Sequence, residues 1–358
     1  MATTHPNFNR DTEGLEVARA FADRVYDKTI VVTGVNRGGI GFTTAEALAS
    51  QSPAHLIIAG RTPSKLQDSI DALKAQYPNV DYRALRLDLS SQAAVRAAAA
   101  ELLSWDDIPK VDILINSAGL ALLPERTLSE DGIEMHFATN HIGHFLFTCL
   151  IMPKLLKAAE TNRKGATRVV NVSAGSPYWA YMRWSDPNFE KKNKDLPAEE
   201  QPNFATHKAW GTPDIEERSY VPLEAYNQSK VANLLFSIGA TRRLYEKHGI
   251  LCLTVHPGWI KTELQRAATP DWKSSVESLI MKTGVQYKTL GAGSSTSLVA
   301  ALDPKLGKIE NKDGKENVGI FLEHCQVTDK AHPRACSSEE ADKLWAVSER
   351  LVREKFSW

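Results

Sequence analysis

From residue 29 onward, short β-branched runs alternate with helical stretches, a rhythm that few folds accommodate. TIVVTG at 29–34 leads into a helical pattern. HLIIAG at 55–60 is followed by a helix over 64–77, and VDYRALRLDL at 80–89 by another over 91–104. VDILINSAG at 111–119 precedes a long helical region across 130–160, and RVVNVSAG occupies 168–175. A helix over 223–247 and the run ILCLTVHPGW then continue the order. Strands buried on both faces read as continuous apolar runs, and parallel neighbours need a crossover helix between them. The order predicts an α/β chain with a mostly parallel sheet covered by helices on both faces.

Three stretches depart from the rhythm. Residues 1–28 hold a short amphipathic helix whose apolar side, Leu15, Ala18, Phe21, Ala22 and Val25, suits packing against a core edge. Residues 176–222 are rich in aromatics, prolines and charges and read as an insertion. Beyond 262, two helices are expected in 270–303, a late strand in VGIFLEH at 318–324 and a terminal helix over 338–356. One domain spanning 1–358, with a substrate-side segment at 262–317, fits better than two.

Composition narrows the function classes. The 43 basic residues balance 43 acidic ones, and 42% of the chain is hydrophobic, so neither a disordered chain nor a strongly basic nucleic-acid binder is expected. No apolar run reaches the ~18 residues of a membrane span and no signal core opens the chain, so no transmembrane anchor is expected. Cysteines at 149, 252, 325 and 336 form no CxxC pair, which suits reduced thiols and a cytoplasmic location.

TGVNRGGIG at 33–41 lies between the first strand and its helix. Gly34, Gly38, Gly39 and Gly41 allow the backbone close to a diphosphate, and the helix start offers unpaired N–H groups. The second strand ends in AGR, where an acidic residue would have accepted the ribose hydroxyls of NAD. Arg61, with Arg37 in the turn, instead suits the extra 2′-phosphate of NADP. Asp88 at the end of the third strand is placed to accept from adenine. Asn116, Ala118 and Gly119 form a small, polar turn beside the cofactor.

YNQSK at 226–230 puts Tyr226 and Lys230 on one face of a helix. A free phenol titrates near pH 10, and a neighbouring ammonium favours its ionised form, so Tyr226 is the candidate acid/base and Lys230 its partner and ribose holder. His136, His141 and His144 recur on one helical segment, where packing and surface hydration account for them. No metal is required.

These motifs, with Asn140, NVS at 171–173 and HPGWIKT at 256–262, resemble the short-chain dehydrogenase/reductase family over residues 29–262, most of all its retinol-dehydrogenase-like and fungal oxidoreductase branches. The resemblance implies a Rossmann-like doubly wound fold, a nicotinamide cofactor and hydride exchange at a carbonyl or alcohol. It places Gly34, Gly39, Ile40 and Gly41 around the diphosphate. Thr262, after Pro257 and Gly258, falls at the nicotinamide carboxamide, and Asn140 at a water on the proton path. Two departures stand out. The turn has one residue more than the family's TGxxxGxG. The family's substrate-orienting serine aligns with Ala174, so Ser173 takes its place by a one-residue shift, ahead of Ser176.

The expected activity is NADPH-dependent reduction of a ketone or aldehyde, reversible in principle. Tyr178, Trp179, Tyr181, Trp184, Phe189, Phe204 and Trp210 suggest a bulky hydrophobic or aromatic substrate. Competing readings are a double-bond reductase or rearrangement enzyme on the same scaffold, and a non-catalytic NADP-sensing interaction protein. Assembly into a homo-oligomer is compatible with the sequence.

Overall fold

Strand–helix alternation is realised along the chain in a computed structural model that describes residues 3–209, 211–284 and 286–358. After α1 (Gly14–Ala20) come β1 (Thr29–Thr33), α2 (Ile40–Ala49), β2 (His55–Gly60), α3 (Pro63–Gln76), β3 (Asp81–Arg86), α4 (Gln92–Leu103) and β4 (Ile113–Asn116). The second half runs through α5 (Gly143–Leu150), β5 (Thr167–Val172), α6 (Pro222–His248), β6 (Ile250–His256), α7 (Pro270–Thr283) and α8 (Leu290–Leu302). It closes with β7 (Phe321–Glu323), β8 (Gln326–Val327) and α9 (Ser338–Val352).

The strands form one sheet in the order β8-β7-β6-β5-β4-β1-β2-β3. Neighbours are parallel except β8, which returns antiparallel to β7. The side-chain period of two divides each strand between two cores. Val31, Ile57, Leu114, Val169 and Cys252 face α4, α5, α6 and α9. Ile30, Leu56, Ile113, Val170 and Leu251 belong to the opposite core, with residues of α1, α2, α3 and α8. Both faces are thus sealed, which is why the strands are apolar throughout rather than alternating.

The N-terminal segment docks α1 against α8 and α2. Of the expected apolar side, Ala18, Phe21 and Val25 are buried and Ala22 is half-buried, whereas Leu15 is exposed and Val17 is buried instead. The helical region expected across 130–160 is interrupted. It starts only at Met135, passes through a π-helical turn at Ala138–Ile142, and breaks at Ile151 before a helix at Met152–Ala159 bent by 57°. Pro153, in the first turn of that second helix, has no N–H with which to continue the first. The late strand is shorter than expected, because Val318 pairs in a separate hairpin with Glu310 and Gly319 turns the chain at φ +117. Among the described residues, no single helix is long and apolar enough to cross a membrane.

Candidate active site

The chain leaves β1 towards β2 and β3, then returns to β4 on the other side, so the connections diverge and open a crevice at the strand ends. Gly34 ends β1 at φ +74, and a Cβ there would lie 2.5 Å from the Ala118 Cα after β4. A Cβ on Gly41 would lie 2.5 Å from the Gly34 carbonyl oxygen. Two loops and a helix start therefore meet at a spacing that only hydrogen allows. Thr33 ties them together. Its Oγ1 accepts from the Ser117 and Ala118 N–H groups, each at 3.0 Å, and contacts His144 Nε2 at 2.9 Å.

His144 Nδ1 lies 3.0 Å from the Asn140 carbonyl oxygen, which can only accept, so Nδ1 carries the proton and Nε2 accepts from Thr33. Burial lowers its pKa to about 4, keeping the ring neutral, with the Asn140 bond opposing and nearby Lys230 reinforcing the shift. Surface hydration does not account for these histidines, because all of them are buried. His136 meets Glu134 at 2.7 Å and His141 meets Ser348 at 2.8 Å. Thr33 was not singled out in the sequence, since nothing local marks a threonine that will bridge two loops.

A cavity of about 750 Å³ runs along the strand ends. Gly34, Gly39, Ile40, Gly41, Arg61, Asp88, Ala118 and Gly119 line one part of it, and Ser173, Tyr226, Lys230, Pro257, Gly258 and Thr262 another. The Ile40 and Gly41 N–H groups, in the first turn of α2, have no main-chain acceptor among the described residues. Asp88 Oδ1 accepts from the Ser90 N–H at 3.1 Å and hydroxyl at 2.6 Å, leaving Oδ2. Arg61 forms no ion pair among the described residues, and Lys65, in the first turn of α3, borders the same end. This lysine follows Arg61 by four residues, across the start of α3, a signal present in the sequence and passed over.

Three expected residues do not reach the cavity. Arg37 lies at the surface, 3.8 Å from Asp68. Asn116 is buried at the level of the sheet, where its amide donates to Thr148 at 3.2 Å and to Asn171 at 2.9 Å. Asn140 stands one layer behind. Its Oδ1 accepts from the Leu120 N–H at 2.9 Å, and its Nδ2 donates to the Leu120 carbonyl at 3.0 Å and to Ser229 at 2.9 Å. With both amide protons and its oxygen engaged, Asn140 clamps the loop after β4 to α6.

α6 starts with Pro222 in its first turn and ends at Gly249 with φ +70. It carries Tyr226 and Lys230 one turn apart, the ammonium 5.7 Å from the phenol ring centre. Lys230 Nζ donates to the Val172 carbonyl at 3.0 Å, and burial lowers its pKa to about 8. Burial raises the pKa of the Tyr226 phenol, which is therefore protonated at neutral pH. The sequence suggested that the ammonium would favour tyrosinate; in the folded chain desolvation outweighs it.

Ser173 borders the cavity, but its only proton goes to the Lys230 main-chain carbonyl at 2.6 Å. Ser176 likewise donates to Asn227 Oδ1 at 2.8 Å. Of the aromatic residues singled out, Tyr178 and Trp179 line this cavity, whereas Tyr181 and Phe189 border a neighbouring one of about 390 Å³. Trp184 donates to Glu340 of α9 at 2.6 Å. Phe204 belongs to a short helix, Phe204–Ala209, and lines neither cavity. Trp210 falls outside the described residues. Beside Tyr226 the wall is built by Ala121, Leu122, Leu223, Leu264, Ala268 and Trp272.

Comparison with known proteins agrees with this geometry. A family model described as short chain dehydrogenase matches residues 28–184. The protein named oxidoreductase fscI of Fusarium equiseti is 38% identical over 251 residues, 70% of this chain and 94% of its own. Human retinol dehydrogenase 13 is 32% identical over 328 residues, 91% of this chain and 84% of its own. The crystal structure of NADPH-bound carbonyl reductase from chicken fatty liver superposes with a TM-score of 0.53 at 22% identity, covering 85% of this chain and 99% of that one.

Proposed function

The chain belongs to the short-chain dehydrogenase/reductase family of oxidoreductases, and from that premise we propose that it reduces a ketone or aldehyde on a hydrophobic or aromatic substrate with NADPH. The observation that carries this reading is the Tyr226 phenol, which lines the same cavity as the glycine cradle, one helical turn from Lys230. Gly34, Gly39, Ile40 and Gly41 would hold the diphosphate, and Arg61 with Lys65 the 2′-phosphate. Asp88 Oδ2 would accept from adenine, Ala118 and Gly119 give room beside it, and Pro257, Gly258 and Thr262 face the carboxamide. NADPH bound there supplies a hydride to the carbonyl carbon.

The residues of this chain handle the oxygen. Tyr226 Oη hydrogen-bonds it and transfers a proton as negative charge develops, and the resulting tyrosinate is stabilised by the Lys230 ammonium. Lys230 keeps two protons beyond the one given to Val172, and these suit ribose hydroxyls. Ser173 would assist only by rotating its hydroxyl away from Lys230. Its present bond supports a positioning role, steadying the turn of α6 that carries the ammonium.

The pH dependence follows from these groups. Reduction needs the phenol protonated, which holds well above neutrality, and the ammonium charged, which fails as pH rises past about 8. A profile of kcat/KM for reduction should be level below pH ~7 and decline above ~8. A profile rising across that window would contradict this assignment.

The reading is tested by purified protein, NADPH or NADH, and a panel of aryl ketones and aldehydes. NADPH should be favoured over NADH by about 100-fold in kcat/KM, and Arg61→Ala should narrow that preference about tenfold, the worth of one charge-assisted bond. A preference for NADH, or no NADPH consumption with any of these carbonyls, would overturn it. We place the chain in the cytoplasm as a single domain. Four free, buried cysteines support the first, and the packing of α1 and α9 onto the two faces of one sheet supports the second.

A further inference from the structure

One end of the main cavity is built from segments far apart in the chain: Arg10 of the N-terminal extension, Lys288 before α8, Glu323 at the end of β7 and His324 after it. Its charges are unevenly matched. Lys288 is 7% exposed, and its ammonium donates to the carbonyls of Pro257 at 3.1 Å and Ala292 at 3.2 Å. Among the described residues no carboxylate comes within 4.0 Å of it, although buried charges are normally paired. Arg10 donates from Nη2 to the Gln286 carbonyl at 2.7 Å, while its buried Nε forms no hydrogen bond among the described residues. That Nε lies 3.7 Å from the carboxylate of Asp11, a side chain 84% exposed. His324 Nδ1 is also buried without a partner.

The carboxylate that lines this end is already matched. Glu323 meets Lys330 at 3.2 Å, with His256 at 3.7 Å and His324 at 3.6 Å around it. Among the residues that line this end, Arg10 and Lys288 outnumber Glu323, so the cavity wall here is positive. Backbone strain points the same way. Glu323 pairs with Gln326, so His324 and Cys325 form a two-residue hairpin turn, with φ +50 and +65. Such turns favour Asn-Gly, because other residues strain in the left-handed region. Here the turn holds an imidazole at the cavity edge instead.

We propose that Arg10, Lys288 and His324 form an anion subsite that binds a carboxylate on the substrate, so that the preferred substrates are aromatic oxo acids rather than neutral carbonyls. This rests on the carbonyl-reductase reading and names its substrate class. Tyr178, Trp179 and Trp259 line the same cavity and suit the aromatic body. The Arg10 guanidinium and the remaining Lys288 ammonium proton would supply charge-assisted donors to one carboxylate.

The test compares 4-formylbenzoate and 4′-formylbiphenyl-4-carboxylate with their methyl esters, using the full chain and NADPH. At least one acid should exceed its ester by about tenfold in kcat/KM, through KM, and Arg10→Gln should remove most of that advantage while Arg10→Lys keeps part of it. Esters turned over as well as both acids, or a ratio unmoved by Arg10→Gln, would overturn the subsite. The native acid-to-ester ratio decides even if a variant misfolds. If no aldehyde is reduced, the reductase reading fails. The subsite is then judged by calorimetry of 4-(hydroxymethyl)benzoate and its methyl ester with the NADP-loaded chain. Binding of the acid alone, lost in Arg10→Gln, supports the subsite, and equal or absent binding of the two rejects it.

Discussion

Tyr226→Phe should lower kcat for carbonyl reduction about a thousandfold while leaving NADPH affinity within a few-fold of the native value. A positioned general acid contributes roughly 10²–10⁴ in rate, and this substitution removes only the oxygen that delivers the proton. The ring itself stays in place. It packs in the cluster of Leu223, Leu264 and Trp272, contacts that phenylalanine reproduces. The Ser229 hydroxyl bonds the main-chain carbonyl of residue 226 at 2.7 Å, so α6 keeps its local geometry. Lys230 remains anchored to Val172. Steady-state rates and fluorescence titration of NADPH separate the two effects. Activity within tenfold of native would mean that another group protonates the substrate, and the assignment of Tyr226 would be lost.

The second large effect is expected from Gly34→Val, which should weaken NADPH binding at least 100-fold and lower the thermal midpoint. A branched side chain at φ +74 is a backbone outlier, and left-handed geometry alone costs about 1–2 kcal/mol. The larger penalty is steric. A Cβ there would sit 2.5 Å from Ala118 Cα and 2.7 Å from Ala118 N, main-chain atoms that no rotamer change can move. Ala118 N–H is held by Thr33, and the next residues are held by Asn140, so relief of the clash displaces the loop beside the cofactor. Gly38→Ala is the matched control. Gly38 has φ +80, but a Cβ there meets nothing within 4 Å, so that variant should show backbone strain with NADPH affinity within about tenfold of native. Equal losses in both variants would show that conformation, rather than the contact between the loops after β1 and β4, sets cofactor binding.

Where sequence reading succeeded, the signal was local. Buried parallel strands announce themselves as apolar runs, and α6 carries its two candidate catalytic side chains at a helical spacing that needs no tertiary knowledge. The glycine turn was equally legible, since a strand, a glycine cluster and a helix occupy contiguous residues. Boundaries failed where a second interaction competed. Pro153 divided an otherwise helical stretch, and the 310–318 hairpin took residues that looked ready to join the main sheet. Asn116 illustrates a different failure. It was read into a turn after the fourth strand but is the last residue of β4, where its amide joins a polar ladder with Asn171 and Thr148 that only the neighbouring strand and helix reveal.

By itself the sequence determined the doubly wound sheet, the phosphate turn and the phenol–ammonium pair, because each is written in residues within a few turns of one another. Tertiary structure alone decided which hydroxyls keep a free proton: Ser173 and Ser176 look available as letters and are engaged as neighbours of Lys230 and Asn227. It also decided the electrostatics, since burial raises the pKa of Tyr226 and lowers that of Lys230 whatever their spacing. Residues 10, 288 and 324 meet at one cavity end only because the sheet closes loops of hundreds of residues, and a local pattern carries no record of such contacts.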